Sequence, residues 1–224
     1  MDLSNMTDSE KINLARHLNT SEEELRELST DDKYSVRYQL ARNPNTPEDV
    51  LMYLAKDRDI DVRCAVACSS NTPVGILKNL ARDEYIEVRT HVAMQPNTPE
   101  VLLGDLAQDE NWQVRLGVVN NPNTSANLLQ KLAKDRAGRV RGGAARNPKT
   151  SLATLEELAN DEYYQTRYNV AINPNTSSKI LVMIFELEKS WKDPVWNIIR
   201  TLYKNPKLPD FAKRVIETLF AEML

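Results

Sequence analysis

The sequence predicts an all-α repeat array, and three observations carry that prediction. Threonine stands at Thr20, Thr46, Thr72, Thr98, Thr124, Thr150 and Thr176, a step of 26 residues without a slip. Arginine keeps the same step at Arg37, Arg63, Arg89, Arg115, Arg141 and Arg167, and leucine at Leu51, Leu77, Leu103, Leu129, Leu155 and Leu181. Within each period apolar residues recur three and four apart, and no stretch alternates with a period of two. A period held this strictly marks stacked supersecondary units. The expected architecture is one domain, 1–224, of about seven helix-pair repeats with atypical ends. An acidic N-terminal capping unit occupies 1–32, regular repeats 33–185 and a helical C-terminal cap 186–224.

The elements follow in order. Residues 1–32 carry nine Asp/Glu against three Lys/Arg, and His17-Leu18 stand where later units have Asn-Pro. The second unit shows the full pattern. In "TPEDVLMYLAKD" Thr46 suits an N-cap, Pro47 the first helical position, and Glu48 and Asp49 the positive end of the helix dipole. Val50, Leu51, Leu54 and Ala55 then share one face. A second helix, "DVRCAVA", gathers Val62, Val66 and Ala67 with Arg63 among them. The joint "NPNTP" ends the second helix of the unit before, because Pro44 drives Asn43 out of the helical region and Thr46-Pro47 restarts the chain. The pentapeptide reads as punctuation. After Ile184 the period breaks, Asn205-Pro206 resembles one more worn joint, and a last helix aligns Phe211, Val215, Ile216, Leu219 and Phe220. That helix is expected to cap the array, or to form a dimer contact.

The composite pattern "LAxDxxxxVRxxVAxNPNTPxxxL", running from about residue 12 to 185, resembles the leucine-rich repeat variant class of α-solenoids, which is related to HEAT repeats. The resemblance implies a right-handed superhelix of stacked helix pairs. It also implies that the arginines form an Asp–Arg ladder of the kind known in HEAT-type arrays. One member of the class carries a cysteine-ligated iron–sulfur cluster before its repeats. This sequence has no such cysteine-rich segment, so the resemblance brings the fold and no cofactor.

The residues themselves support the ladder. Each arginine lies within the apolar arc of its helix, where a cation must be paired, and the recurring Asp57, Asp83, Asp109, Asp135 and Asp161 are at hand. A phosphate-binding ribbon is the competing reading of the same set. Cys64 and Cys68 share a helical face but lack the further ligands of a structural metal site. No Ser-His-Asp set, HExxH motif or glycine-rich phosphate loop occurs, so no enzyme is expected. Net charge of −3 gives no general attraction to nucleic acid or acidic membrane. No apolar run is long enough to span a bilayer, and "MDLSNMTDSE" lacks the regions of a signal peptide. A cytoplasmic location is expected.

Recognition should therefore lie on the array's surface. The second helices are built from small residues, pack closely and are expected to line the concave side. Their outward stripe includes Trp112, Leu116, Tyr164 and Tyr168. The unit from Lys131 to Lys149 holds seven Lys/Arg and one Asp, together with Gly138, Gly142 and Gly143. It reads either as drift or as a dent floored by Gly142, walled by Trp112 with Tyr164 and Tyr168, and rimmed by Arg139 and Arg146. The expected function is a non-enzymatic scaffold for an acidic protein or peptide; the alternative is a HEAT-like nucleic-acid binder. The protein is expected to be a monomer, or a weak dimer through its last helix.

Overall fold

The computed structural model describes residues 3–190 and 194–220. Parts of the two expected caps, at 1–2, 191–193 and 221–224, lie outside the described residues. Every regular element among the described residues is a helix. None is long and apolar enough to cross a membrane. The residues divide into two compact units, 1–123 and 124–224.

The first unit opens with a 3-10 turn, Leu3–Asn5. It then runs α1 (Asp8–Arg16), α2 (Glu22–Leu28), α3 (Tyr34–Arg42), α4 (Glu48–Leu54), α5 (Ile60–Cys68), α6 (Val74–Leu80), α7 (Ile86–Met94), α8 (Glu100–Leu106) and α9 (Trp112–Asn120). The second contains α10 (Ala126–Leu132), α11 (Gly138–Arg146), α12 (Leu152–Leu158), α13 (Tyr164–Ile172), α14 (Ser178–Lys189), α15 (Trp196–Lys204) and α16 (Asp210–Phe220). Odd-numbered helices from α1 to α9, and from α11 to α15, pack side by side within their own unit. The even-numbered first helices sit across them and further from one another. Leu25, Leu28, Leu51, Leu54, Leu77, Leu80 and Leu103 fill the seam between the two layers in the first unit, and Leu129, Leu155 and Leu181 in the second. Each such side chain contributes roughly 1.5–3 kcal/mol.

The spacing of the second helices follows side-chain size. In the first unit the closest neighbours are α7 and α9, where a Cβ on Gly117 would stand 2.9 Å from the Ala93 Cβ and 3.2 Å from the Thr90 carbonyl oxygen. In the second unit they are α11 and α13. A Cβ on Gly138 would lie 2.7 Å from the Tyr163 ring, and Asn169 donates to the Gly142 carbonyl at 2.9 Å.

The joint corrects the sequence reading in two ways. Thr46 is not an N-cap. Its hydroxyl donates backwards to the Leu40 carbonyl at 2.6 Å, and Thr20, Thr72 and Thr98 do the same to Leu14, Val66 and Val92. The cap falls one residue later. Ser21, Ser125, Ser151 and Ser177 accept a backbone N–H there, while Pro47, Pro73 and Pro99 occupy the position without a side-chain bond. The asparagines do more than punctuate. Asn43 donates to the carbonyls of Ala15 and His17, Asn121 to those of Ala93 and Gln95, and Asn173 to those of Ala145 and Asn147. These bonds tie each joint to the preceding one. Gln95 takes the same role by reaching the Ser69 carbonyl at 2.7 Å. The worn joint is real: Asn205 bonds the Ala171 carbonyl, and buried Leu208 follows where the other joints carry threonine.

The arginine ladder is a second tie. Arg37, Arg63 and Arg89 reach Asp57, Asp83 and Asp109 through Nε at 2.6, 2.7 and 2.7 Å, and Arg141 reaches Asp161 at 2.6 Å. Each also donates Nη1 to the backbone carbonyl six residues before it, in the turn of its own repeat, as does Arg115 to Asp109 at 2.7 Å. Lys11 begins the series with Asp31 at 2.9 Å. At the far end α14 is longer than the other first helices. Arg167 there meets Glu188, 21 residues on, with both side chains fully buried. Burial alone would raise the carboxyl pKa values of Asp57 and Asp109, but bonds from Arg37 and Arg89 and from the N–H groups of Asp59 and Asn111 bring them below the usual range.

Candidate interaction site

The expected stripe of the second helices does face water. In the first unit Tyr34, Arg42, Cys68, Met94 and Asn120 are exposed, while Tyr38, Trp112 and Leu116 are half-buried. Arg42 lies over the Tyr38 ring at 5.6 Å, so an aromatic–cation surface begins at the array's first repeat. Cys64 and Cys68 are free thiols, and burial pushes Cys64 up to about 11, away from nucleophilic or metal-binding behaviour at neutral pH. Among the described residues no three His, Cys, Asp or Glu gather as metal ligands.

In the second unit the glycine-floored dent is not formed as expected. Gly142 is buried beneath α13, with Thr166 and Asn169 above it. The room left by the missing side chains is occupied by the neighbouring helix. Arg139 and Arg146 are exposed on α11, and Trp112 and Leu116 belong to the other unit.

What the fold does bring together lies one helix further on. Tyr164 and Tyr168 of α13 line a groove of about 450 Å³ with Gln165 and with Asn197, Arg200, Thr201 and Lys204 of α15. Tyr164 is 46% exposed, so much of its ring faces the solvent. The α15 residues were missed from the sequence because the longer α14 shifts the register: Trp196 follows Tyr164 by 32 residues rather than 26. Their signal was present in the position of Arg200 and Lys204, four residues apart on one helical face. Among the described residues its lining has two cations, two phenol rings and no carboxylate.

α16 packs against α15 through a narrow strip. Ala212 and Ile216 are buried, and the Trp196 and Phe220 rings meet edge to face at 5.2 Å. Phe211 and Leu219, expected on the same face, are exposed instead.

No protein-family model and no curated protein matches the sequence. Solved structures do match. The fold is similar to that of a leucine-rich repeat variant described as having a novel repetitive structural motif, with a TM-score of 0.66 and 23% identity over 90% of this chain and 78% of that one. It is also similar to the Escherichia coli protein YibA, with a TM-score of 0.58 and 19% identity over 98% of this chain and 92% of that one. At the level of fold, the resemblance read from the 26-residue pattern is borne out.

Proposed function

We propose that this repeat array is a binding scaffold that holds an acidic protein segment along the solvent face of its second helices, with the α13–α15 groove as the principal seat. The observation that carries the reading is the groove's lining, in which Tyr164 and Tyr168 stand beside Arg200 and Lys204. Aromatic and arginine side chains dominate interface energetics, and a groove of one sign raises the local concentration of the opposite one. Among the described residues the lining offers no histidine, cysteine or carboxylate to act as base or nucleophile, which favours binding over catalysis. Two free cysteines fit a reducing, cytoplasmic setting. The exposed Phe211 and Leu219 on α16 are compatible with a monomer or a weak dimer.

The same rings and cations favour one second reading. Tyrosines stack on bases and cations meet phosphates, as in single-stranded nucleic-acid grooves. Titration of a fluorescent Glu/Asp-rich peptide and of a labelled oligonucleotide, each at two salt concentrations, separates the two. The scaffold reading expects peptide binding that persists in moderate salt, weakened about tenfold or more by Tyr168→Ala and by Lys204→Glu. Peptide affinity unchanged in both variants rejects the site. Preferential oligonucleotide binding with a steep salt dependence assigns the groove to nucleic acid.

A further inference from the structure

The first-helix layer of the first unit contains a different opening. Across this layer three residues form ion pairs with the one 23 positions on. Arg26 bonds Asp49 at 2.9 Å between α2 and α4. In the second unit Lys134 reaches Glu157 at 3.4 Å, and Glu156 pairs with Lys179. Between α6 and α8 the same step places Lys78 opposite Val101 and Arg82 opposite Asp105. Neither rung closes. Among the described residues Lys78, Arg82 and Asp105 form no ion pair. Val101 is 81% exposed, more than any other large apolar side chain described.

These residues line one cleft of about 570 Å³, with buried Leu102 and Leu106 at its base. Asp109, at its end, is already engaged by Arg89. The cleft thus presents two cations and one uncommitted carboxylate over an aliphatic floor. Its electrostatic deficit is one anion, at the place Asp49 fills between α2 and α4. Its hydrophobic deficit is a cover for Val101.

We infer that the α6–α8 cleft docks a protein segment presenting a carboxylate beside an aliphatic side chain, the carboxylate meeting Lys78 and Arg82 and the aliphatic group covering Val101. The cleft lies within the first unit and is independent of the α13–α15 groove, so either assignment can fail alone.

The test uses the full ¹⁵N-labelled chain and a synthetic helix-forming peptide with Glu and Leu four residues apart. A Lys-for-Glu counterpart serves as the control. The Glu peptide is expected to shift the amides of Lys78, Arg82 and residues 101–105 and to spare α13 and α15. Val101→Asp supplies the missing anion from within and places it in the first turn of α8, where the dipole favours it. It should reduce peptide affinity about tenfold with an unchanged or raised melting temperature. Lys78→Glu should reduce affinity similarly. Equal binding of the Lys peptide, shifts confined to other helices, or full affinity in Val101→Asp would overturn the inference. Concentration-dependent self-association that Val101→Asp abolishes would also overturn it, by giving the cleft to a second copy of the chain.

Discussion

Replacing Arg89 with alanine tests the ladder at its middle. The side chain donates to Asp109 through Nε at 2.7 Å and Nη2 at 3.1 Å, and to the carbonyls of Asp83 and Glu84 at 2.9 and 3.2 Å. Its side chain is 11% exposed and that of Asp109 10%, so solvent offers little replacement. The variant leaves Asp109 with the Asn111 N–H at 2.8 Å and no cation in contact from its own rung. Breaking one side of such a pair costs about 3–5 kcal/mol. For a chain of this size that lowers the melting temperature by very roughly 6–20 °C. Helical circular dichroism during heating, for Arg89→Ala, Asp109→Asn and the double variant, measures both the loss and the coupling. The coupling has a pH signature. Because the folded Asp109 carboxyl lies below its usual range, its contribution is complete above the unfolded value near 4. It is lost as pH falls from there through the folded value. Arg89→Ala should flatten that acid limb. A melting temperature within a degree or two of the parent, or strictly additive single and double variants, would refute a structural ladder and return the arginines to a ligand-binding role.

Three further outcomes follow from the packing. Gly142→Leu should destabilise by about 1–3 kcal/mol, since its Cβ already meets Asn169 at 3.4 Å and the remaining atoms have no room. Gly142→Ala should be neutral or gain up to about 1 kcal/mol of helix propensity, and chemical denaturation distinguishes the two. Asn173→Ala should cost about 1–3 kcal/mol by leaving the Ala145 and Asn147 carbonyls without their donor; hydrogen exchange should quicken at that joint. Cys64, with its thiol pushed up to about 11 by burial, should react with iodoacetamide at pH 8 at least about a hundredfold more slowly than an ordinary cysteine, as followed by mass spectrometry.

Periodicity made the helix pairs legible because every unit repeats one packing problem. Leu51, Leu77 and Leu103 recur for that reason, and so does Arg63 within an apolar arc. What the period could not convey was which backbone group each joint side chain reaches. Thr46 satisfies the rule for an N-cap, yet its hydroxyl bonds the Leu40 carbonyl behind it. Gly142 satisfies the rule for an opening, yet α13 closes over it. Local pattern records that space is needed and leaves its occupant unstated. The groove residues Arg200 and Lys204 escaped for a different reason. They lie beyond the longer α14, where counting by 26 no longer finds the equivalent position.

The rung between Arg167 and Glu188 has a consequence for how such a chain can lengthen or shorten. Every regular rung spans 20 residues, from a second helix to the next turn, so whole periods can be duplicated or excised and the cut ends still match. Any other change of length between an arginine and its acid shifts the carboxylate off its partner. The extended α14 is a change of that forbidden kind, and the chain carries its own repair. The acid moves by one position and gains a methylene, so that Glu188 reaches both Arg167 and the Val195 N–H. Keeping a rung intact in this chain therefore requires a length change of a whole period, or an acid moved to match, as Glu188 is.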